Sequence, residues 1–296
     1  MAGKVRDDKL LIFDVHGQPA SGLQNLWRGC AAWLIGGGPS VKDVPYHKLA
    51  ERGMCSLAIN GVAGMVPAKA MTFNDPAQKW HEGIWLDPGI MKLIPRVRLR
   101  RASHTRRKTP DGHFVNTGKN SPDYPNVWAY ERTNTFDPAT FLTSPAATYG
   151  NDLKGHTQNG RPRIIFTMFL ALRLLHFLGV SRVYMLGVDF YMDPAKGVHG
   201  NYAFADDRHD PNDENAAKEA AGVVNGNNSH YIVASEMLKE LKPVFDAADF
   251  HVFNVNPWSR LRVFPHVPFE DALKDCRNGV HEGELDLQGW YKKGER

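Results

Sequence analysis

Compact apolar runs, each closing on a small polar residue, recur along the first part of this chain. Cys30–Ile35 leads into Gly36-Gly37-Gly38, Cys55–Ile59 into Asn60-Gly61, and Ala70–Phe73 into Asn74-Asp75. Runs of four to six residues with no helical period predict central strands buried on both faces. Two more lie far downstream, Val183–Val188 before Asp189-Phe190-Tyr191 and Phe250–Asn256 before Pro257. Leu10–Phe13 has the composition of an edge strand. Between these runs, Val41–Arg52 reads as a helix with Gly53 just past its end. Ile164–Leu178 is apolar nearly all round and predicts a buried helix stopped by Gly179. Its His176 reads as a core histidine. Asn228-Ser229-His230-Tyr231 is expected to open a helix running to about Ala247.

Strand, turn and helix in this alternation predict an α/β fold, a doubly wound and mostly parallel sheet of Rossmann-like type. Ligands bind such sheets at the carboxyl ends of the strands. Gly36–Ser40, Asn60, Asn74-Asp75 and Asp189–Tyr191 all fall there. Each asparagine taken alone is also an ordinary turn or cap residue. The glycine turn lets backbone approach a ligand without a Cβ in the way, and Pro39 suits a first helical turn. Free amides at such a helix start attract phosphate or another anion. The motif is neither G-x-G-x-x-G nor a P-loop, since no Gly-Lys-Ser/Thr follows. A plain strand-to-helix turn is the alternative.

Three stretches break the alternation. Arg96, Arg98, Arg100, Arg101, Arg106, Arg107 and Lys108 crowd a segment with no acidic residue. The order Arg-Val-Arg-Leu-Arg predicts a strand with arginines on one face. Arginine in this density is the footprint of a polyanion partner, with a merely solvated face as the alternative. Residues 109–160, rich in Pro, Asn, Gly, Thr and aromatics, continue it as an irregular insertion spanning about 94–160. Residues 192–228 are polar and turn-rich and are expected to form a lid. The tail beyond Pro265 is polar and is expected to wrap the surface. The whole chain, 1–296, is read as one domain carrying this insertion and lid.

Composition narrows the class. The 296 residues are 42% hydrophobic and 23% charged, with a net charge of +4, ordinary for a globular protein. No apolar run approaches a membrane span, and the first residues are too charged for a secretory signal. Cys30, Cys55 and Cys276 are odd in number and widely spaced, which argues against a disulfide framework or a CxxC site and suits a cytoplasmic location. The acidic residues of 192–228 lack EF-hand order. Whether a divalent metal takes part is left open.

Taken in order, Gly36-Gly37-Gly38-Pro39-Ser40, Asn60, Asn74, Gly187–Tyr191, Asn201-Tyr202-Ala203-Phe204 and Asn228–Tyr231 resemble the bacterial sialyltransferases of glycosyltransferase family 42. They are also similar to the wider group containing the archaeal MptE-like pterin diphosphokinases. The resemblance covers roughly residues 30–75 and 160–262. It implies a GT-A-type nucleotide-sugar fold in which Gly36, Gly37, Gly38, Ser40, Asn60 and Asn74 hold the donor nucleotide. Thr167 takes the place of a donor-contacting Ser-Gly pair. Tyr191 and Tyr202 match two tyrosines that hydrogen-bond the departing phosphate. Two positions depart from the family. Gly37 replaces an asparagine, and Ala234 stands where His-Tyr-x-x-His has the histidine acting as general base.

The resemblance therefore implies a glycosyltransferase with altered acceptor activation, and His230, Asp75 and Asp189 are the candidate bases. A UDP-sugar is the favoured donor, with a CMP-sugar as the other choice. The arginine segment suggests DNA as acceptor, in the manner of phage enzymes that glycosylate 5-hydroxymethyl pyrimidines alongside TET-like hydroxylases. A cell-surface glycan acceptor, a pterin diphosphokinase and a non-catalytic nucleotide or DNA binder are the alternatives. An oligomer is compatible with the family.

Overall fold

In the computed structural model, residues 8–51, 53–75, 82–100, 106–109, 111, 114–151, 164–203 and 214–278 are described. Eight strands form one sheet: β1 (Ile12–Phe13), β2 (Ala31–Ile35), β3 (Cys55–Ile59), β4 (Ala70–Thr72), β5 (Met91–Pro95), β6 (Val127–Tyr130), β7 (Arg182–Leu186) and β8 (His251–Asn254). Their order is β1-β6-β5-β4-β3-β2-β7-β8. All neighbours run parallel except the edge pair, where Ile12 faces Tyr130 and Phe13 faces Ala129 in antiparallel register. The expected mostly parallel α/β sheet is present.

The sheet divides two cores, and β2 shows how. Ala32 and Leu34 enter the core shared with α3 (Thr167–Phe177), while Ala31, Trp33 and Ile35 enter the opposite one. Alternation of faces along a strand sends both sets inward, so every residue of β2 is buried. On the second face Trp33 lies 5.2 Å from Phe269 of α5 (Phe269–Asn278), ring centre to ring centre. The tail beyond Pro265 thus does more than wrap the surface, for Phe269, Ala272, Leu273 and Cys276 are buried in this core.

The buried helix expected over Ile164–Leu178 is α3, shortened at its start because Ile164–Ile165 pair as a strand with Gly150–Asn151, and it carries an ion group. Asp8 accepts from both terminal nitrogens of Arg173, at 2.6 and 2.5 Å, and lies 2.9 Å from His176 Nδ1. The Asp8 and Arg173 side chains are fully buried. Burial pushes the Asp8 carboxyl up, but the His176 and Arg173 contacts outweigh it and bring it down to about 2.

Several expectations are corrected. Val41–Arg52 is two 3-10 turns, Pro39–Asp43 and Tyr46–Ala50, because Pro45 holds Val44 extended (φ −128°) between them. Arg96–Arg100 is a short helix, α2, that follows directly on β5 and Pro95 rather than continuing as a strand. The stretch read as an irregular insertion supplies β6 to the main sheet, so its core is structural. The lid expected over 192–228 is helical in its last third. Helix α4 runs from Glu214 to Ala247, which places Asn228–Tyr231 mid-helix rather than at its start. The alanines at 216, 217, 220 and 221 favour that earlier start. Residues 204–213 of the lid, and 101–105 of the basic segment, lie outside the described residues.

Candidate functional site

Strand β2 pairs with β3 on one side and β7 on the other, so the chain leaves β2 and β7 in opposite directions across the sheet. That reversal opens a crevice above the carboxyl ends of the two strands. A cleft of about 390 Å³ occupies it. Most residues expected at a site line this one cleft. Gly36, Gly37 and Gly38 follow β2, Asn60 follows β3, and Asn74 and Asp75 follow β4. Thr167 opens α3, Asp189 and Tyr191 follow β7, Tyr202 stands beyond them, and His230 reaches in from α4.

The glycines there answer to backbone packing. A Cβ on Gly36 would stand 2.5 Å from the Gly187 carbonyl oxygen, and one on Gly38 would stand 2.5 Å from a carboxylate oxygen of Asp189. Gly187 itself has φ +67°, and its own Cβ would collide with the Val41 side chain. The turns after β2 and β7 touch along their backbones, with Gly36 N–H donating to Leu186 and Gly38 N–H to Gly187.

Asp189 locks them together. Its carboxylate accepts from the Ser40 N–H at 3.1 Å, from the Ser40 hydroxyl, and from Asn256 Nδ2 at 2.7 Å. Of the amides expected to wait for a phosphate, the Ser40 N–H is thus met by a carboxylate of the protein itself and the Gly38 N–H by the Gly187 carbonyl. Ser40, the one donor-binding candidate off the cleft wall, spends its hydroxyl here, and Asp189 serves as a clamp. The reason lies in the strand order, which sets residues 149 positions apart side by side.

Beyond the clamp, Phe190 adopts φ +54°, a conformation that bulky residues enter only under constraint. Its ring is pinned by Tyr231, stacked at 5.1 Å, and by Phe166, edge-on at 5.4 Å. This twist carries the chain from Asp189 to Tyr191. Asn228 fixes the next residue from α4, pairing with both the N–H and the carbonyl of Met192 at 2.8 Å.

The two strand-end asparagines differ. Asn60 has φ +61°, and its side-chain oxygen is buried with no hydrogen-bond partner. Asn74 is held twice, its side-chain oxygen by Arg132 and its carbonyl by Arg98. His230 is exposed on the cleft wall, whereas Ala234 is fully buried in the core beside α3. No imidazole stands at the position where the resemblance implies a base.

The basic segment is partly internal. Arg96 pairs with Glu131 at 2.5 Å and lies over the Phe13 ring, and Arg98 donates to the Asn74 carbonyl. Arg100 belongs to α2, and Arg106, Arg107 and Lys108 form a short antiparallel ladder with Phe114–Asn116. Arg101 lies outside the described residues.

Sequence reasoning missed several residues of the site. Tyr231 closes the Asn228–Tyr231 motif, which assigns it no role of its own. Burial raises its phenol well above the usual range, and Tyr202 and Asp189 add to the effect. Arg132, Asn256, Ser259 and Arg260 gave no signal, being single polar residues whose partners are distant in sequence. Arg260 lies with its guanidinium 3.5 Å above the Tyr191 ring centre. Among the described residues no group of three His, Cys, Asp or Glu side chains could hold a metal ion, and no helix is long and apolar enough to cross a membrane. Cys30, Cys55 and Cys276 are buried free thiols.

No protein-family model matches the chain, and no curated protein matches it. Among solved structures, the sialyltransferase CstII from Campylobacter jejuni, in complex with the substrate analogue cytidine-5'-monophosphate, is similar at 17% identity with a TM-score of 0.39, covering 81% of this chain and 85% of that one. The sialyltransferase CST-II in complex with a trisaccharide acceptor and CMP is similar at 14% identity with a TM-score of 0.35, covering 80% and 85%.

Proposed function

We propose that this chain is a glycosyltransferase that takes a nucleotide-activated sugar and passes the sugar to a hydroxyl acceptor. The observation that carries the reading is the convergence of eleven residues, from Gly36 to His230 and from separate stretches of the chain, on one cleft at the reversal of the sheet. Apart from Asp75 and the departing Gly37, these are positions at which the sequence resembles family 42, and a cleft of this volume suits a nucleotide sugar.

In this reading the Asn60 amide, whose oxygen lacks a partner, recognises the nucleoside, and the glycine turns let it approach the backbone. Tyr191 and Tyr202 donate hydrogen bonds to the phosphate as the sugar–phosphate bond breaks, stabilising charge that grows on the leaving oxygen. His230, the imidazole on the cleft wall, takes the proton of the acceptor hydroxyl. Asp189 is unsuited to that task, since both its oxygens are engaged by Ser40 and Asn256. Asp75 is the second candidate base.

The donor base and the acceptor are finer questions. A DNA acceptor gains nothing from Arg96 and Arg98, whose guanidiniums contact the fold. It rests on Arg100, Arg101, Arg106, Arg107 and Lys108. The test offers CMP-sugars and UDP-sugars with either a glycan or duplex DNA carrying 5-hydroxymethylcytosine, and weighs the products. Release of free nucleotide with a matching mass gain on one acceptor is expected, and Tyr191→Phe with Tyr202→Phe abolishes it. A chain that neither binds nor turns over any of these donors overturns the reading.

A further inference from the structure

We propose that Arg260, which stacks on the cleft-lining Tyr191 without itself lining the cleft, is a phosphate-recognition residue, and that the anion subsite lies beside these two side chains rather than at the glycine turn. The inference rests on the nucleotide-sugar reading and goes beyond it by assigning the charge that holds the phosphate.

The glycine turn is a poor place for an anion. The Ser40 N–H and hydroxyl already serve Asp189, and both carboxylate oxygens lie against the turn. A phosphate brought there would displace those bonds and stand beside a like charge whose described hydrogen-bond partners, in Ser40 and Asn256, are neutral. The resident carboxylate takes the position a ligand phosphate would need.

A cation is available on the other side of Asp189. The turn after β8 is fastened to the end of β7 by the Arg260 N–H donating to the Asp189 carbonyl at 2.9 Å and the Ser259 hydroxyl donating to the Val188 carbonyl at 2.6 Å. Ser259 is buried, and its oxygen also accepts the Leu261 N–H at 3.1 Å, so this turn is built rigidly from both sides. It presents the Arg260 guanidinium over the Tyr191 ring, 3.5 Å from the ring centre. None of the described carboxylates pairs with Arg260. A guanidinium stacked on an aromatic face keeps its N–H donors at the ring's edge for a second partner. Tyr191 lines the cleft, so an anion that takes a hydrogen bond from its hydroxyl stands beside a fixed positive charge.

The test is titration calorimetry of the full chain with CMP, UMP, cytidine and uridine, for the wild type, Arg260→Gln and Arg260→Lys. The wild type is expected to bind one monophosphate at least ten-fold tighter than its nucleoside. Arg260→Gln is expected to shrink that ratio to three-fold or less with the nucleoside affinity unchanged, and Arg260→Lys to keep most of it. Arg260 is exposed, so both variants are expected to melt as the wild type does. A wild type that prefers the monophosphate while Arg260→Gln keeps the full ratio overturns the assignment of Arg260 and leaves the donor reading standing. Equal wild-type affinity for nucleoside and monophosphate overturns the anion subsite. Failure of the wild type to bind any of the four overturns the donor reading and this inference together.

Discussion

Two aspartates, Asp8 buried and Asp189 half-buried, solve the same problem with different partners. Asp8 joins the start of the described chain to α3 through Arg173 and His176, and its charge is met by a guanidinium. Asp189 joins the turns after β2 and β7 through a backbone amide, a hydroxyl and a carboxamide, all neutral. In the first, the Asp8 and Arg173 side chains have no exposed surface and set charge against charge. The second keeps a negative charge beside the cleft. A carboxylate matched by a cation is architecture alone, whereas one satisfied by neutral donors still shapes the field that a ligand meets.

The largest effect is expected from Asp8→Ala. It strands the Arg173 guanidinium in the core, and removing one partner of a buried pair costs about 3–5 kcal/mol. Chemical denaturation measures it, and a loss under about 1 kcal/mol would mean that water reaches Arg173. Asp189→Ala comes next, leaving the Ser40 donors and Asn256 without their acceptor at about 2–3 kcal/mol. Asp189→Asn separates clamp from base. Turnover within about ten-fold of wild type fits a clamp, while loss of all turnover at an unchanged melting temperature would make Asp189 the base.

The pH dependence sharpens the contrast. Asp8 has a folded value of about 2, below the 3.8 of a free aspartate carboxyl, so its contribution is in full force above the unfolded value. It is lost as pH falls through about 2, and amounts to roughly 2 kcal/mol. Acid titration of stability in wild type and Asp8→Asn should differ in that window, and parallel curves would contradict the burial of the pair. The smallest effect is expected at Arg96→Ala. Its pair with Glu131 is partly exposed and worth at most about 1 kcal/mol. If Arg96 instead bound DNA phosphates, the same change would leave stability alone and lower the salt dependence of DNA binding.

The strands β2, β3, β4, β7 and β8 were legible because burial on both faces writes an unbroken apolar run, and Gly, Asn or Asp marks each end. β6 was not, for its four residues sit among Pro, Asn and aromatics and become a strand only by pairing with β5. The helix expected over 41–52 failed on one residue, Pro45, and the arginine strand failed because two-residue alternation over five positions fits a short helix as well. At the site, the wall was readable and the wiring was not. Gly36, Asn60, Asn74 and Tyr191 announce themselves at strand ends, but the bond from Ser40 to Asp189 depends on which strand lies beside β2. The arginines looked unpaired because Glu131 stands 35 residues from Arg96.

The pairing of β2 with β7 also bears on the order of folding. Strands β2 to β5 follow one another closely and can assemble early, whereas the β2–β7 seam closes across a span of about 150 residues, the 149 from Ser40 to Asp189 among them. Contacts of such separation form late and slowly. The cleft lies on that seam, so the half-folded chain has a sheet but no site. A small molecule bound in the cleft, touching elements on both sides of the seam, would act as a staple on the last-formed joint, slowing unfolding while leaving the rate of folding almost untouched.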